Sequence, residues 1–182
     1  MLSANKLGAF AVLLADTLES AYDGLSPSAA SLLLTLYYTR NATATALAKV
    51  AGISQPTAVR VLDGLVRQGF IERKSHTGRT TLLRVTRAGR ARAVSLQAAR
   101  LGALDKILSG LNTQERATFE RILDTILVAA TTSRPFARTI CRLCDHPACD
   151  GPLCPIGSRA SEIEQSVGIR ITGGQHVDSA RR

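Results

Sequence analysis

The 182-residue chain has no tryptophan, one methionine and only 4% aromatic residues. With 45% hydrophobic residues it has enough apolar content for a real core. That core must be made of Leu, Ala, Val and Ile, which suits packed helices. Acidic residues number 14 against 23 Lys and Arg, and none forms an evident catalytic pair. There is no glycine-rich phosphate loop, no HExxH and no G-x-S-x-G. These absences argue against an enzyme. The N-terminus lacks a basic leader followed by an apolar stretch and a small-residue cleavage site. The apolar run Leu7 to Ala15 is too short for a bilayer, which takes roughly 20 residues. A cytoplasmic protein is expected, and its four Cys are then reduced thiols or ligands rather than disulfides.

The net charge is +9, and its location is more telling than its size. Residues 60–100 hold ten basic residues against Asp63 and Glu72, a net +8. A local field of this kind draws in polyanions with strong salt dependence.

Helical periodicity covers residues 3–22, with Leu7, Phe10, Ala11, Leu14 and Leu18 at three- and four-residue steps. Ser26-Pro27 caps a second helix through Leu32, Leu33, Leu36 and Tyr37. Thr43 caps a short third helix with Leu47, Val50 and Ala51 inward, and Gly52 suits the left-handed residue that stops it. Ser54 caps a fourth, with Ala58, Val61, Leu62 and Leu65 inward and Pro56, Arg60, Asp63 and Arg67 on the opposite face. Phe70–Lys74 and Arg79–Thr86 are expected strands around the turn Ser75-His76-Thr77-Gly78. Thr86 then opens a long helix to about Leu108, with Val94, Leu101, Leu104 and Leu108 along one side. Another starts at Asn112-Thr-Gln-Glu115, a capping-box pattern, with an apolar stripe of Phe119, Ile122, Leu123, Ile126, Leu127 and Ala130. From Thr131 the composition turns Pro- and Cys-rich. A short helix is expected at Ser158 to Gln165, and a loosely held tail from Gly168.

Helix, turn, helix and basic hairpin in this order form a winged helix-turn-helix, so the fold class is mainly α with a small β-wing plus further helices. Such a module puts the N-terminus of its second helix at base edges in the major groove. Gln pairs in a bidentate way with adenine, and Ser and Thr with several bases. The candidate DNA-binding residues are therefore Ser54, Gln55, Thr57, Arg60 and Arg67 on the helix, and Arg73, Lys74 and Arg79 on the wing. Arg79 is the foremost candidate for the minor groove, where negative potential attracts Arg. His76 is read as an exposed turn residue.

The stretches Ser54-Gln-Pro-Thr-Ala-Val-Arg60, Leu62-Asp63-Gly-Leu65-Val-Arg-Gln-Gly69-Phe-Ile-Glu-Arg73 and Leu83-Arg-Val85-Thr86-Arg-Ala-Gly89 resemble the MarR family of winged-helix regulators. The family usually carries Asp-x-Arg in its wing; here Thr77 stands at the Asp position and Arg79 at the Arg position. The resemblance implies a homodimer, in which residues 3–22, 87–108 and 112–131 pack across a two-fold axis. It implies a pseudo-palindromic double-stranded DNA operator, repression of a promoter, and a small-molecule effector. The chain then divides into residues 1–25 and 87–131 as a helical dimerisation region, 26–86 as the winged helix-turn-helix, and 132–182 as a Cys-rich extension with a metal site and flexible tail.

All four Cys lie in Cys141-x2-Cys144-x4-Cys149-x4-Cys154. Thiols at this density among prolines do not make a core. They suit one metal centre per chain, with zinc ahead of an iron–sulfur cluster and bare redox-active thiols third. The spacing equals that of a zinc knuckle with Cys149 in the His position, and His146 is either a substitute ligand for one Cys or simply a turn residue beside Pro147. The alternative class is a non-specific or RNA-binding, knuckle-like protein, although few aromatics are present for base stacking.

Overall fold

The computed structural model describes residues 1–75, 81–149 and 153–173. Its elements are α1 (Leu2–Ala21), α2 (Pro27–Thr39), α3 (Ala44–Ala51), α4 (Gln55–Arg67), β1 (Ile71–Ser75), β2 (Thr81–Val85), α5 (Arg87–Ile107), α6 (Thr113–Ala130), α7 (Arg134–Ile140) and α8 (Pro155–Gly173). Short 3-10 turns occupy Leu108–Gly110 and Cys141–Leu143. The expected mainly helical fold with a two-stranded wing is therefore present. The readings placed on His76, Thr77 and Arg79, and on the chain beyond residue 173, lie outside the described residues.

Two compact units divide after Gln114. In the first, α2 is the central helix. Ala29 through Leu36 are all buried, because α3, α4, α5 and β2 pack around it. The caps expected from the sequence form. The Oγ of Ser26 accepts from Ala29 N–H at 3.2 Å, and Thr43 Oγ1 from Ala46 N–H at 3.2 Å. Gly52 closes α3 at φ 68°, the left-handed conformation expected there. Strands β1 and β2 pair antiparallel with Ile71 opposite Val85. A further bridge joins Ala42 to Leu83 through two backbone hydrogen bonds, tying the wing to the start of the helix-turn-helix.

The most constrained point is the joint between α4, β1 and α5. The N–H of Thr86 donates to the Phe70 carbonyl at 3.0 Å. Its hydroxyl lies 2.7 Å from the Gly69 carbonyl and 3.2 Å from that of Phe70, and accepts from Gly89 N–H at 3.0 Å. Gly89 sits so close to this turn that a Cβ on it would lie 1.8 Å from the Phe70 carbonyl oxygen. Arg92, one helical turn on, donates to the carbonyls of Tyr22 and Asp23 at 2.9 and 2.6 Å, so α1 ends on α5.

Three details differ from the sequence expectation. Val50 and Val61 are only partly buried, and Ala48 takes an inward place instead; the short helix α3 turns its Leu47–Ala48–Ala51 face to the core. Helix α7, inside the Pro-rich region, starts where Ser133 Oγ accepts from Phe136 N–H at 3.2 Å, with Pro135 in the first turn, where its missing N–H costs nothing. Helix α8 is longer than expected, reaching Gly173 from Pro155, because a proline at its first position sets its start and glycine alone weakens a helix without breaking it.

Gly89→Ala should lower stability by about 3 kcal/mol, since a backbone carbonyl cannot move aside as a side chain can. Urea unfolding of the two proteins side by side checks this; an unchanged midpoint is the contrary result.

Candidate nucleic-acid interface and thiol cluster

Helix α4 is held from behind and open in front. Ala58, Leu62 and Leu65 are buried, while Ser54, Gln55, Thr57, Arg60 and Arg67 are exposed. Ser54 is committed to the helix start: its Oγ accepts from Thr57 N–H at 3.3 Å, and the two hydroxyls hydrogen-bond at 2.8 Å. Gln55 and Arg60 are left with their full hydrogen-bonding capacity facing outward. The first-turn N–H groups and the positive end of the helix dipole add a field suited to phosphate.

The basic field divides into paired and unpaired groups. Arg73 on β1 donates to Asp63 on α4, an ion pair that straps the wing to the recognition helix. Arg84 pairs with Glu72 across the two strands. Arg92 is taken up by the end of α1 and by Asp23 at 3.0 Å. Arg60, Arg67, Lys74, Arg87 and Arg90 are exposed and make no ion pair among the described residues. The sequence placed Asp63 on the outward face but not its partner, because the pairing depends on how β1 packs beside α4.

The second unit contains the four cysteines, all half-buried and none in a disulfide. Cys141 follows α7 and opens the 3-10 turn whose closing bond is Cys144 N–H to the Cys141 carbonyl at 2.9 Å. Cys149 N–H closes a turn on the Asp145 carbonyl at 3.0 Å. Cys154 precedes α8, and its Sγ accepts from Gly157 N–H at 3.2 Å. Cys141 and Cys154 pack against a small buried cluster of Ala137, Ile156 and Ala160, joined by Leu127 of α6. The four thiols act on one another. A hydrogen bond with Cys144, then burial, then the neighbouring sulfurs raise the Cys141 thiol well above its usual range. Burial, then Cys154 and Cys144, push Cys149 up to about 11, with a smaller contribution from Asp124. Arg134 fastens the unit: it donates to Ser161 Oγ at 2.6 Å, to Glu164 Oε2 at 2.9 and 3.1 Å, and to the Gly157 carbonyl at 3.4 Å. His146 is exposed.

As the thiols stand, no group of three or more His, Cys, Asp or Glu among the described residues is arranged to hold a metal ion. Thiols that hydrogen-bond to each other carry protons, and a metal must displace those protons to bind. Four mutually interacting sulfurs, one of them already accepting a backbone N–H at a helix start, are nonetheless a donor set suited to a thiophilic ion.

Central helix, exposed second helix and strapped wing define a winged helix-turn-helix protein. The MarR family model matches residues 25–78. The HTH-type transcriptional repressor YetL of Bacillus subtilis (strain 168) is 27% identical over 104 residues, covering 55% of this chain and 62% of its own length. The chain thus spans less than two thirds of that relative. Among solved structures, the YusO protein of Bacillus subtilis aligns at a TM-score of 0.60 and 20% identity, over 71% of this chain and 96% of its own. A MarR family protein of Mycobacterium tuberculosis in complex with salicylic acid aligns at 0.55 and 23%, over 66% and 92%. At these identities the likeness is one of fold, and the fold is the MarR winged helix. Among the described residues no helix is long and apolar enough to cross a membrane.

Ser54→Ala should cost about 1 kcal/mol of stability through the lost cap. Chemical denaturation with an unchanged m-value checks this; no change in midpoint would mean that the cap is redundant.

Proposed function

We propose that the chain is a sequence-specific double-stranded DNA-binding regulator of the MarR type, a homodimer that represses by occupying a promoter. The observation that carries this reading is the front of α4. Gln55, Thr57 and Arg60 lie exposed on a helix anchored by buried leucines, in the same unit as the exposed cations Arg67, Lys74, Arg87 and Arg90. The reading gives base recognition to Gln55 and Arg60. Thr57, Arg67 and Lys74 hold the phosphates, and Arg73 positions the wing through Asp63. Arg79 enters the minor groove. The repressor role takes its support from the name of the Bacillus relative.

Homodimer formation is supported by apolar surface that one chain leaves open. Helix α1 has 20 residues and none buried, with Leu2, Leu7, Val12 and Leu13 exposed. Val94 and Leu101 on α5, and Ile122, Leu123 and Ile126 on α6, are exposed as well. A second copy covering these faces removes a cost of about 25 cal/mol for each Å² of apolar surface.

Control is assigned to two places. The four thiols Cys141, Cys144, Cys149 and Cys154 hold one metal centre per chain, zinc or an iron–sulfur cluster. A small carboxylate effector, of the kind the Mycobacterium tuberculosis protein holds, binds at Arg100. The support there is chemical: Arg100 Nε and Nη1 are buried without a hydrogen-bond partner among the described residues, and so are the hydroxyls of Ser31 and Thr35 on α2, against which α5 packs. Unsatisfied buried donors are costly, and an anion satisfies them.

Footprinting against excess random DNA tests the regulator reading. Protection of one pseudo-palindrome is expected; equal affinity for every duplex, or a preference for RNA, would replace it with the non-specific alternative. Gln55→Ala should weaken operator binding by about 1–3 kcal/mol and relax base preference. Lys74→Ala should instead weaken all sequences alike and lower the salt slope by about 1. For the effector, salicylic acid should raise the melting temperature of the wild type and leave that of Arg100→Met unmoved; equal shifts would remove Arg100 from the role.

A further inference from the structure

The second unit is short of core. Among the described residues its buried apolar cluster is Ala137, Ile156 and Ala160, two of them alanines. Helix α7 has seven residues, too few to persist alone when isolated helices under about 12 residues are marginal in water. Small units of this kind ordinarily need a staple: a disulfide, a metal or a partner. None of the four cysteines is in a disulfide, which leaves the metal or the partner.

The positions of the thiols show what a staple would join. Cys141 ends α7 and Cys154 starts α8, and Arg134 already ties the start of α7 to Gly157, Ser161 and Glu164 of α8. The cluster also touches α6. Leu127 packs with Cys141 and Cys154 on the buried residues, and Asp124 lies close enough to act on Cys149. Turned well away from Leu127 around the helix, Ile122 and Ile126 are exposed. Helix α6 thus has one face toward the sulfurs and one face open, with no residue of its own buried.

We infer that a thiophilic metal centre on Cys141, Cys144, Cys149 and Cys154 is a clasp that fastens α7 and α8 to the C-terminal half of α6 and so holds rigid the apolar face that α6 offers to a second copy of the chain. The inference rests on the reading of these thiols as a metal site and of α6 as a dimer helix. On binding, each thiol gives its proton to solvent and its sulfur lone pair to the metal, so that the binding free energy becomes folding free energy of the unit. The N–H of Gly157 and the guanidinium of Arg134 lie on the side of Cys154 and offset the negative charge of four thiolates. Loss of the metal leaves α7 and α8 with three small buried side chains, and the open face of α6 loses its backing.

The test uses the full chain, purified without oxygen, before and after removal of metal by a chelator under reducing conditions. Metal content, the absorption spectrum, hydrogen exchange and the dimer dissociation constant from sedimentation are measured, none of which involves DNA. About one centre per chain is expected. A colourless protein with zinc, and a brown protein with iron and sulfide, both support the clasp and identify the occupant. Removal should raise exchange across residues 122–164 by about tenfold or more while leaving residues 55–67 unchanged, and should weaken the dimer about tenfold. Cys149→Ser should reproduce the metal-free behaviour, with protection of α4 reporting that the rest of the chain is folded. Protein that holds no metal, or that keeps the same exchange and dimer constant after losing it, overturns the inference. A clasp that behaves as described in a protein that binds no operator would overturn the regulator reading alone.

Discussion

The arrangement of the first unit depends on one joint, the contact of Gly89 and Thr86 with the turn after α4. The Phe70 carbonyl accepts from Thr86 N–H while Phe70 N–H donates to the Leu65 carbonyl. Phe70 thus links the last turn of α4 to the residue that caps α5. The approach is so close that only a residue without a Cβ fits at position 89. A joint with no slack transmits orientation: α4, the wing and the base of α5 move as one piece, because the alternatives cost a backbone clash or unsatisfied carbonyls. Arg92 extends the same logic to α1 by satisfying the carbonyls at its end. Whatever fixes α5 therefore fixes the direction in which Gln55 and Arg60 face.

Charge follows from this geometry. Read as a string, residues 60–100 are a field of ten cations. In the fold, Arg73, Arg84 and Arg92 are consumed by pairs and Arg100 is turned inward. An exposed pair such as Arg73 with Asp63, half-open to water, adds little to stability, on the order of 1 kcal/mol or less. Its effect is positional, since it joins strand and helix ten residues apart and keeps the wing beside the reading face. Among the described residues the cations without an ion pair are Arg60, Arg67, Lys74, Arg87 and Arg90, all exposed.

Much of this was legible in the chain beforehand. Helix starts at Ser26, Thr43, Ser54 and Thr86 are written in single side chains that cap their own helices within three residues, and local signals of that kind survive folding unchanged. The exposed face of α4 was legible for the same reason, since helical periodicity sorts Leu62 from Arg60 without any knowledge of neighbours. What was not legible is what depends on two elements meeting: the Asp63–Arg73 strap, the bridge from Ala42 to Leu83, the inward turn of Arg100 and the clamp of Arg134 on α8. Helix α7 was hidden for a different reason. Its one proline, Pro135, is a breaker in the interior of a helix and compatible only at its first turn, so a Pro-rich composition hid a helix that position permits.

The thiol segment carries the same lesson into control. Four cysteines at fixed spacing announce a site, but spacing alone does not say what the site acts upon. The fold supplies that, because Leu127 of α6 packs on the same buried cluster as Cys141 and Cys154 and Asp124 adds a small electrostatic effect on Cys149, while Ile122 and Ile126 of the same helix stay open. A helix with no buried residue of its own is ordered only by what lies on its two sides. On one side are the thiols, proposed above as a metal-dependent staple. On the other is the apolar surface proposed to meet a second chain. Two ligands that order the same helix are coupled even if they never touch, because the conformational entropy lost to the first need not be lost again to the second.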